Sequence, residues 1–127
     1  MGGIVIRIKI NGYLKNELEN ENFKIDTKGI RTKDKITYQE DDIKNVINIG
    51  KEEVILVREN KEFKNVLIFR EDKNTITEYL LKENGFVLEL HIKTISLVIK
   101  DNMIEIVYQV IETDNVYEYK IEMSECL

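Results

Sequence analysis

Residues 86–111 read FVLELHIKTISLVIKDNMIEIVYQVI, and apolar side chains recur there at every second position. A period of two places such side chains on one face of a pleated strand. The pattern predicts three consecutive β-strands, the last two joined by a tight turn at Asp101-Asn102. The side chains expected to share a face are Phe86, Leu88, Leu90 and Ile92, then Ile95, Leu97 and Ile99, then Ile104, Ile106, Tyr108 and Val110.

The same alternation recurs on both sides of this segment. Further strands are predicted at, among others, residues 4–10, 32–40, 53–58 and 117–123. Short polar turns separate them at the spacing typical of an all-β barrel or sandwich. We therefore predict about eight to ten strands and no helical crossover.

The connections are too short for parallel strands, so the sheet should be an antiparallel meander. A flat meander of this length would leave two long apolar edges, and closing it into a barrel removes them. We therefore predict an all-β fold with a single antiparallel β-barrel domain spanning residues 1–127. Barrels of up to about eight strands are filled by side chains or hold one small ligand.

Composition narrows the classes of function. The chain has 127 residues, a net charge of −5 and a single cysteine, so we expect one domain without an intrachain disulfide. The acidic net charge argues against nucleic-acid binding, which requires a basic face, but it is compatible with a local basic patch. The sequence shows no apolar run long enough for a signal peptide or a membrane helix. We expect a cytoplasmic protein without a nucleic-acid or membrane partner.

A succession of short segments resembles the YwiB-like family of bacterial proteins. These segments are Tyr38-Gln39-Glu40, the strand from Val54 to Arg58, NVLIF at 65–69, Thr77-Glu78-Tyr79, His91-Ile92-Lys93-Thr94 and Ile106-Val107-Tyr108. Members of that family are small uncharacterised β-barrels classed as calycin-like, with a lipocalin-type architecture. The resemblance implies that fold for this chain. The family has no established activity, so the resemblance leaves the function open.

Two charged side chains are in phase with apolar ones. Glu40 shares its predicted face with Tyr38, and Arg58 shares its face with Leu56. If those faces point inward, a carboxylate and a guanidinium lie inside the barrel or at its mouth. One interpretation is structural: the two groups pair with each other or with tyrosine hydroxyls, since buried charges require partners.

The other interpretation is functional. Arg58, helped by Tyr38, Tyr79 or Tyr108, would hold the anionic head of a small, partly apolar ligand. The polar contacts predicted on this interpretation are Arg58, Tyr38, Glu40 and Tyr79.

The remaining reactive residues do not form a recognisable catalytic set. His91 is the only histidine and is expected to be an exposed strand residue; the alternative is a haem axial ligand. Cys126 is expected to be an inert thiol, and Glu40-Asp41-Asp42 an acidic turn. One His and one Cys supply no nucleophile–base pair and no zinc site, so we expect neither enzyme activity nor a metal or cofactor.

A second class of function stays open at this point. Isoleucine and leucine occupy nearly every predicted inward position, which also suits a filled core. The chain would then be a structural or protein-interaction module, as a monomer or a homodimer.

Overall fold

A computed structural model describes residues 4–126 of the chain. They form ten strands, which confirms the all-β prediction, and the predicted domain ends at residues 1–3 and 127 lie outside this part. The strands are β1 (Ile6–Asn16), β2 (Glu21–Thr32), β3 (Lys35–Glu40), β4 (Ile43–Ile49), β5 (Val54–Glu59), β6 (Phe63–Phe69), β7 (Asn74–Leu81), β8 (Phe86–Lys100), β9 (Met103–Val110) and β10 (Asn115–Glu125).

The strands form a closed antiparallel meander. Each strand pairs with the next along the chain, and β1 closes the barrel by pairing with β10. The predicted barrel closure is therefore confirmed. Within the described residues, no helix is long and apolar enough to cross a membrane.

The prediction of three strands within residues 86–111 is wrong, because β8 is one continuous strand of 15 residues. A β-bulge between Thr94 and Ser96 takes the place of the predicted break. The extra residue shifts the alternation, so that Ile92 and Leu97 both point inward while Ile95 is 44% exposed. Ile95 therefore does not share a face with Leu97, as the alternation had suggested.

Strand β1 begins at Ile6, two residues after the predicted start, and passes through Asn11-Gly12, which the sequence left open as a turn, a bulge or a continuation. Gly12 lies against β10, where a Cβ atom would clash with the carbonyl oxygen of Lys120. A glycine here allows the two strands to approach closely, so it marks a contact and not a turn.

One half of the barrel interior is filled by isoleucine. This half, which we call the packed half, lies toward the β2–β3, β4–β5 and β8–β9 turns. Its fully buried side chains include Ile10, Ile36, Ile47, Ile104, Ile106 and Ile121.

The β6–β7 turn reinforces this end of the barrel through the bulge in β8. The backbone N–H of Arg70 donates to Thr94 Oγ1 at 3.2 Å, and that of Asp72 donates to the Thr94 carbonyl at 3.0 Å. Thr94 is fully buried, so its polar atoms need these partners.

Candidate ligand cavity

The other half of the interior contains a cavity of about 330 Å³. We call this the cavity half; it lies toward the β1–β2, β3–β4 and β5–β6 turns. Leu56, Leu67 and Phe69 line the cavity next to the packed half. The polar side chains that line it include Tyr38, Glu40, Asn45, Arg58, Tyr108 and Tyr119.

Strand register brings three of the polar side chains together. Asn45 on β4 is paired with Tyr38 on β3 and with Arg58 on β5. Directly paired residues of adjacent strands project from the same face of a sheet. The three side chains therefore line one patch of the inner wall, and Glu40 follows two residues after Tyr38 on that face.

Asn45 links the two charged groups. Arg58 Nε donates to Asn45 Oδ1 at 3.0 Å, and Asn45 Nδ2 donates to Glu40 Oε1 at 3.3 Å. The same Nδ2 also donates to the carbonyl of Ile43 at 3.3 Å. Asn45 is only 1% exposed, so these contacts hold its amide in one orientation.

Glu40 and Arg58 do not form the direct ion pair that one interpretation of the sequence offered. No ion pair within 4.0 Å joins them in the described part of the chain. Among residues 4–126, the only hydrogen-bond partner of the Arg58 guanidinium is Asn45, through Nε. The two terminal nitrogens thus remain available to a molecule in the cavity.

Two buried tyrosines meet on the cavity wall. The hydroxyls of Tyr38 and Tyr119 are 2.6 Å apart and share a hydrogen bond. Burial raises the pKa of Tyr38 and of Tyr119 well above the ordinary tyrosine value, while the nearby Arg58 charge acts in the opposite direction. Both hydroxyls are therefore neutral at physiological pH.

A third tyrosine, Tyr108, also lines the cavity. Its ring is tilted against Phe69 at a centroid distance of 4.9 Å and stacks on Tyr117 at 5.2 Å. Burial raises the pKa of Tyr108, and the Arg58 charge again opposes the shift. Burial thus raises the pKa of all three tyrosines by more than the Arg58 charge lowers it.

Tyr79, the fourth residue predicted for the site, does not line the cavity. Its ring stacks on Phe63 with centroids 5.2 Å apart and an interplanar angle of 7°. Tyr79 pairs with Leu88, in the part of β8 that extends beyond the end of β9. The structure therefore brings Tyr38, Glu40 and Arg58 together and leaves Tyr79 outside the group.

Sequence reasoning did not predict Asn45 or Tyr119 as members of this group. Asn45 precedes Ile47 by two residues and shares its inward phase, so the alternation itself could have identified it. The contact of Tyr119 with Tyr38 joins β10 to β3 across the barrel, and no local pattern reports it.

The barrel wall has a gap beside the cavity, where β2 separates from β3. Only residues 29–32 of β2 pair with β3, so residues 21–28 have a partner in β1 alone. Thr27 Oγ1 donates to the Gln39 carbonyl at 3.2 Å across the gap. Phe23 and Asp41, on opposite sides of this gap, both line the cavity.

His91 lies on the outer surface and not in the cavity. Its Nδ1 is 2.5 Å from Glu112 Oε2, and the side chain is 53% exposed. The hydrogen bond from His91 holds the pKa of Glu112 below its usual range. This position does not suit the haem-ligand alternative, which requires the imidazole to face the interior.

Other groups that could carry chemistry are dispersed. Cys126 is partly exposed, and its backbone N–H donates to the Arg7 carbonyl at 3.0 Å. Asp42 accepts a hydrogen bond from Asn60 Nδ2 at 3.2 Å. Across residues 4–126, no cluster of three or more His, Cys, Asp or Glu side chains could hold a metal ion.

Comparison with known proteins assigns a family. A family model described as "Domain of unknown function (DUF1934)" matches residues 8–123. The chain is similar in structure to the ywiB protein from Bacillus subtilis, with a TM-score of 0.71 and 18% identity over 97% of this chain and 92% of that one. At that identity the likeness supports the fold alone. No curated protein matches the chain in sequence.

Proposed function

The chain belongs to the family described as a domain of unknown function, DUF1934, and we propose that it is a cytoplasmic, non-enzymatic binding protein. On this proposal its barrel holds a small, partly apolar ligand that carries an anionic group. Lipocalin-type barrels, which the sequence resembles, use their interior for one small ligand.

One observation carries the proposal: Arg58 lines the cavity, and no described residue accepts a hydrogen bond from its terminal guanidinium nitrogens. Asn45 occupies only Nε of that group among the described residues. Arg is suited to bidentate contact with a carboxylate or phosphate. The hydroxyl of Tyr108 lines the same cavity and could donate a further hydrogen bond to the anion.

The size and lining of the cavity support the same conclusion. Small-molecule sites are commonly about 300–1,000 Å³, mostly apolar, with a few polar groups that fix orientation. This cavity has a volume of about 330 Å³, and Leu14, Phe23 and Ile25 supply apolar surface on the side of β1 and β2. A ligand at the small end of the range is therefore favoured.

The non-enzymatic and cytoplasmic parts of the proposal have separate support. His91 and Cys126 are the only histidine and the only cysteine, and neither lines the cavity. The single cysteine also favours a compartment in which the protein needs no disulfide.

Native mass spectrometry of protein purified without added ligand tests the proposal. We expect extra mass that is lost on denaturation, and we expect Arg58→Gln to lose most of it. Arg70→Gln is the matched control, because Arg70 contacts Glu53 on the exposed surface. A clean apo mass for the wild-type protein, or equal occupancy in both variants, would contradict the proposal.

A second candidate function is a protein-interaction module that acts as a monomer or as a homodimer. Residues 86–90 of β8 pair with β7 alone, and Phe86, Val87 and Leu88 are 56%, 45% and 44% exposed. An exposed apolar strand edge can pair with another chain. Sedimentation velocity would test this candidate: a dimer that dissociates in Leu88→Lys would support it, and a wild-type monomer at all concentrations would oppose the homodimer.

A further inference from the structure

Resting on the proposed function, we infer that the ligand is a zwitterion, of which an apolar α-amino acid is the simplest example. Its carboxylate would meet Arg58, its ammonium group would meet Glu40, and its side chain would lie against the apolar lining. Arg58 and Glu40 both line the cavity, and each contacts Asn45.

The charge of the cavity wall argues against a simple anion. Arg58 is accompanied by Glu40 on the same wall and by Asp41 beside the gap between β2 and β3, so the lining has more acidic than basic side chains. The whole chain also has a net charge of −5. A ligand with only negative charge would be attracted by Arg58 and repelled by both carboxylates.

The cost of desolvation also favours a ligand that carries both a positive and a negative charge. A molecule that fills the cavity displaces water from Arg58 and from Glu40 together. A charged group that loses its water without gaining a partner is unfavourable, so each side chain needs an opposite charge or a hydrogen-bond partner on the ligand. A simple carboxylate would provide a partner for Arg58 and none of opposite charge for Glu40.

Asn45 keeps the two charges separate and available. Because Asn45 Oδ1 accepts from Arg58 at 3.0 Å while its Nδ2 donates to Glu40 at 3.3 Å, the guanidinium and the carboxylate are held one amide group apart. Direct pairing would cancel the two charges and leave little for a ligand. The observed arrangement instead offers a positive and a negative contact side by side, which matches adjacent opposite charges on an amino acid.

Isothermal titration calorimetry with three related probes tests the inference. L-phenylalanine carries both charges, hydrocinnamate lacks the ammonium group, and phenethylamine lacks the carboxylate. We expect phenylalanine to bind the wild-type protein about tenfold or more tightly than either analogue, since each lost charged hydrogen bond carries at least that factor.

Two variants assign the contacts. Glu40→Gln should weaken phenylalanine about tenfold while leaving hydrocinnamate unchanged or tighter, and Arg58→Gln should weaken both carboxylates. Glu59→Gln is the control for Glu40, because Glu59 pairs with Lys82 at 2.7 Å on the exposed surface. Circular dichroism confirms folding, and Arg58→Lys replaces Arg58→Gln if the latter does not fold.

The outcomes separate this inference from the proposed function. Hydrocinnamate binding as tightly as phenylalanine would overturn the zwitterion and leave an anion-binding barrel. A ligand detected by native mass spectrometry, combined with no binding of phenylalanine, would likewise overturn only the zwitterion. No bound mass and no binding of any probe would overturn both.

Discussion

The two halves of the barrel interior share a wall but differ in what fills them. In the packed half, side chains such as Ile36, Ile47 and Ile104 are completely buried against one another. In the cavity half, the same strands β3 and β4 carry Tyr38 and Asn45 at the equivalent inward phase. Strands β3 and β4 continue from one half into the other, but their inner surface changes from apolar to polar within two residues.

This difference separates stability from binding. The fully buried isoleucines stabilise the barrel through close packing. The cavity half gives up that packing and holds a connected set of polar groups around Asn45. We expect substitutions in the packed half to act mainly on the free energy of unfolding, and those in the cavity half to act also on binding.

The largest expected effect is the truncation of a side chain in the packed half. Ile47→Ala should lower the free energy of unfolding by about 2–5 kcal/mol, because it removes buried methyl groups and leaves a void. Ile76→Ala, at a position 47% exposed, is the matched control, with an expected change within about 0.5 kcal/mol. Urea denaturation measures both. Equal effects would mean that the packed half is not close-packed.

A smaller loss is expected at the centre of the polar group. Asn45→Ala should lower the free energy of unfolding by about 1–3 kcal/mol, because it removes hydrogen-bond partners from Arg58 and Glu40. The exposed Asn74 provides the control substitution Asn74→Ala. If urea denaturation gave the same free energy of unfolding for both variants, the hydrogen bonds of Asn45 would not contribute to stability.

The pH dependence of stability should also come from the cavity half. Tyr38, Tyr108 and Tyr119 are buried there, and burial raises the pKa of each above the ordinary tyrosine value of 10.0. The unfolded chain therefore loses these protons at lower pH than the folded chain does. Stability present below about pH 10 should fall as the pH rises toward the folded-state pKa values.

Chemical denaturation at several alkaline pH values measures this fall. Replacing both members of the hydroxyl pair, Tyr38→Phe with Tyr119→Phe, should make the slope of stability against pH shallower. An unchanged slope would assign the alkaline loss to groups outside the cavity.

The smallest effect is expected for an ion pair on the outer surface. Arg70 Nη2 lies 2.6 Å from Glu53 Oε1, but the Arg70 side chain is 56% exposed. Exposed pairs contribute about 0–1 kcal/mol, so Glu53→Gln should change the midpoint of urea unfolding very little. A loss as large as that of Asn45→Ala would show that surface charge, and not the interior, governs stability.

The alternation of side chains was sufficient to predict the barrel. A period of two identified most strands, and the short polar turns required an antiparallel meander, which must close to remove its edges. The bulge in β8 was not predictable, because Thr94 and Ser96 are compatible with either a turn or a strand. Its position depends on pairing with β9, a contact that the local sequence does not report.

The candidate site was predictable only in part. Glu40 and Arg58 stood out because a charge in phase with apolar residues is unusual, and the structure places both at the cavity. Asn45 was not predicted because it carries no charge, although its position two residues before Ile47 places it on the inward face of β4. Tyr79 has the alternation expected of an inward side chain, but it lies where the β7–β8 hairpin extends past the end of β9. That extension depends on strand register, which the local sequence does not report.

A crystal structure of the protein purified without added ligand tests the central claim most directly: the cavity half is a binding site arranged around Arg58. We predict electron density for a bound molecule in contact with the terminal nitrogens of Arg58, with Asn45 still between Arg58 and Glu40. A cavity closed by side chains, with Arg58 and Glu40 in direct contact, would contradict the claim. The two halves of the interior would then both be packed core.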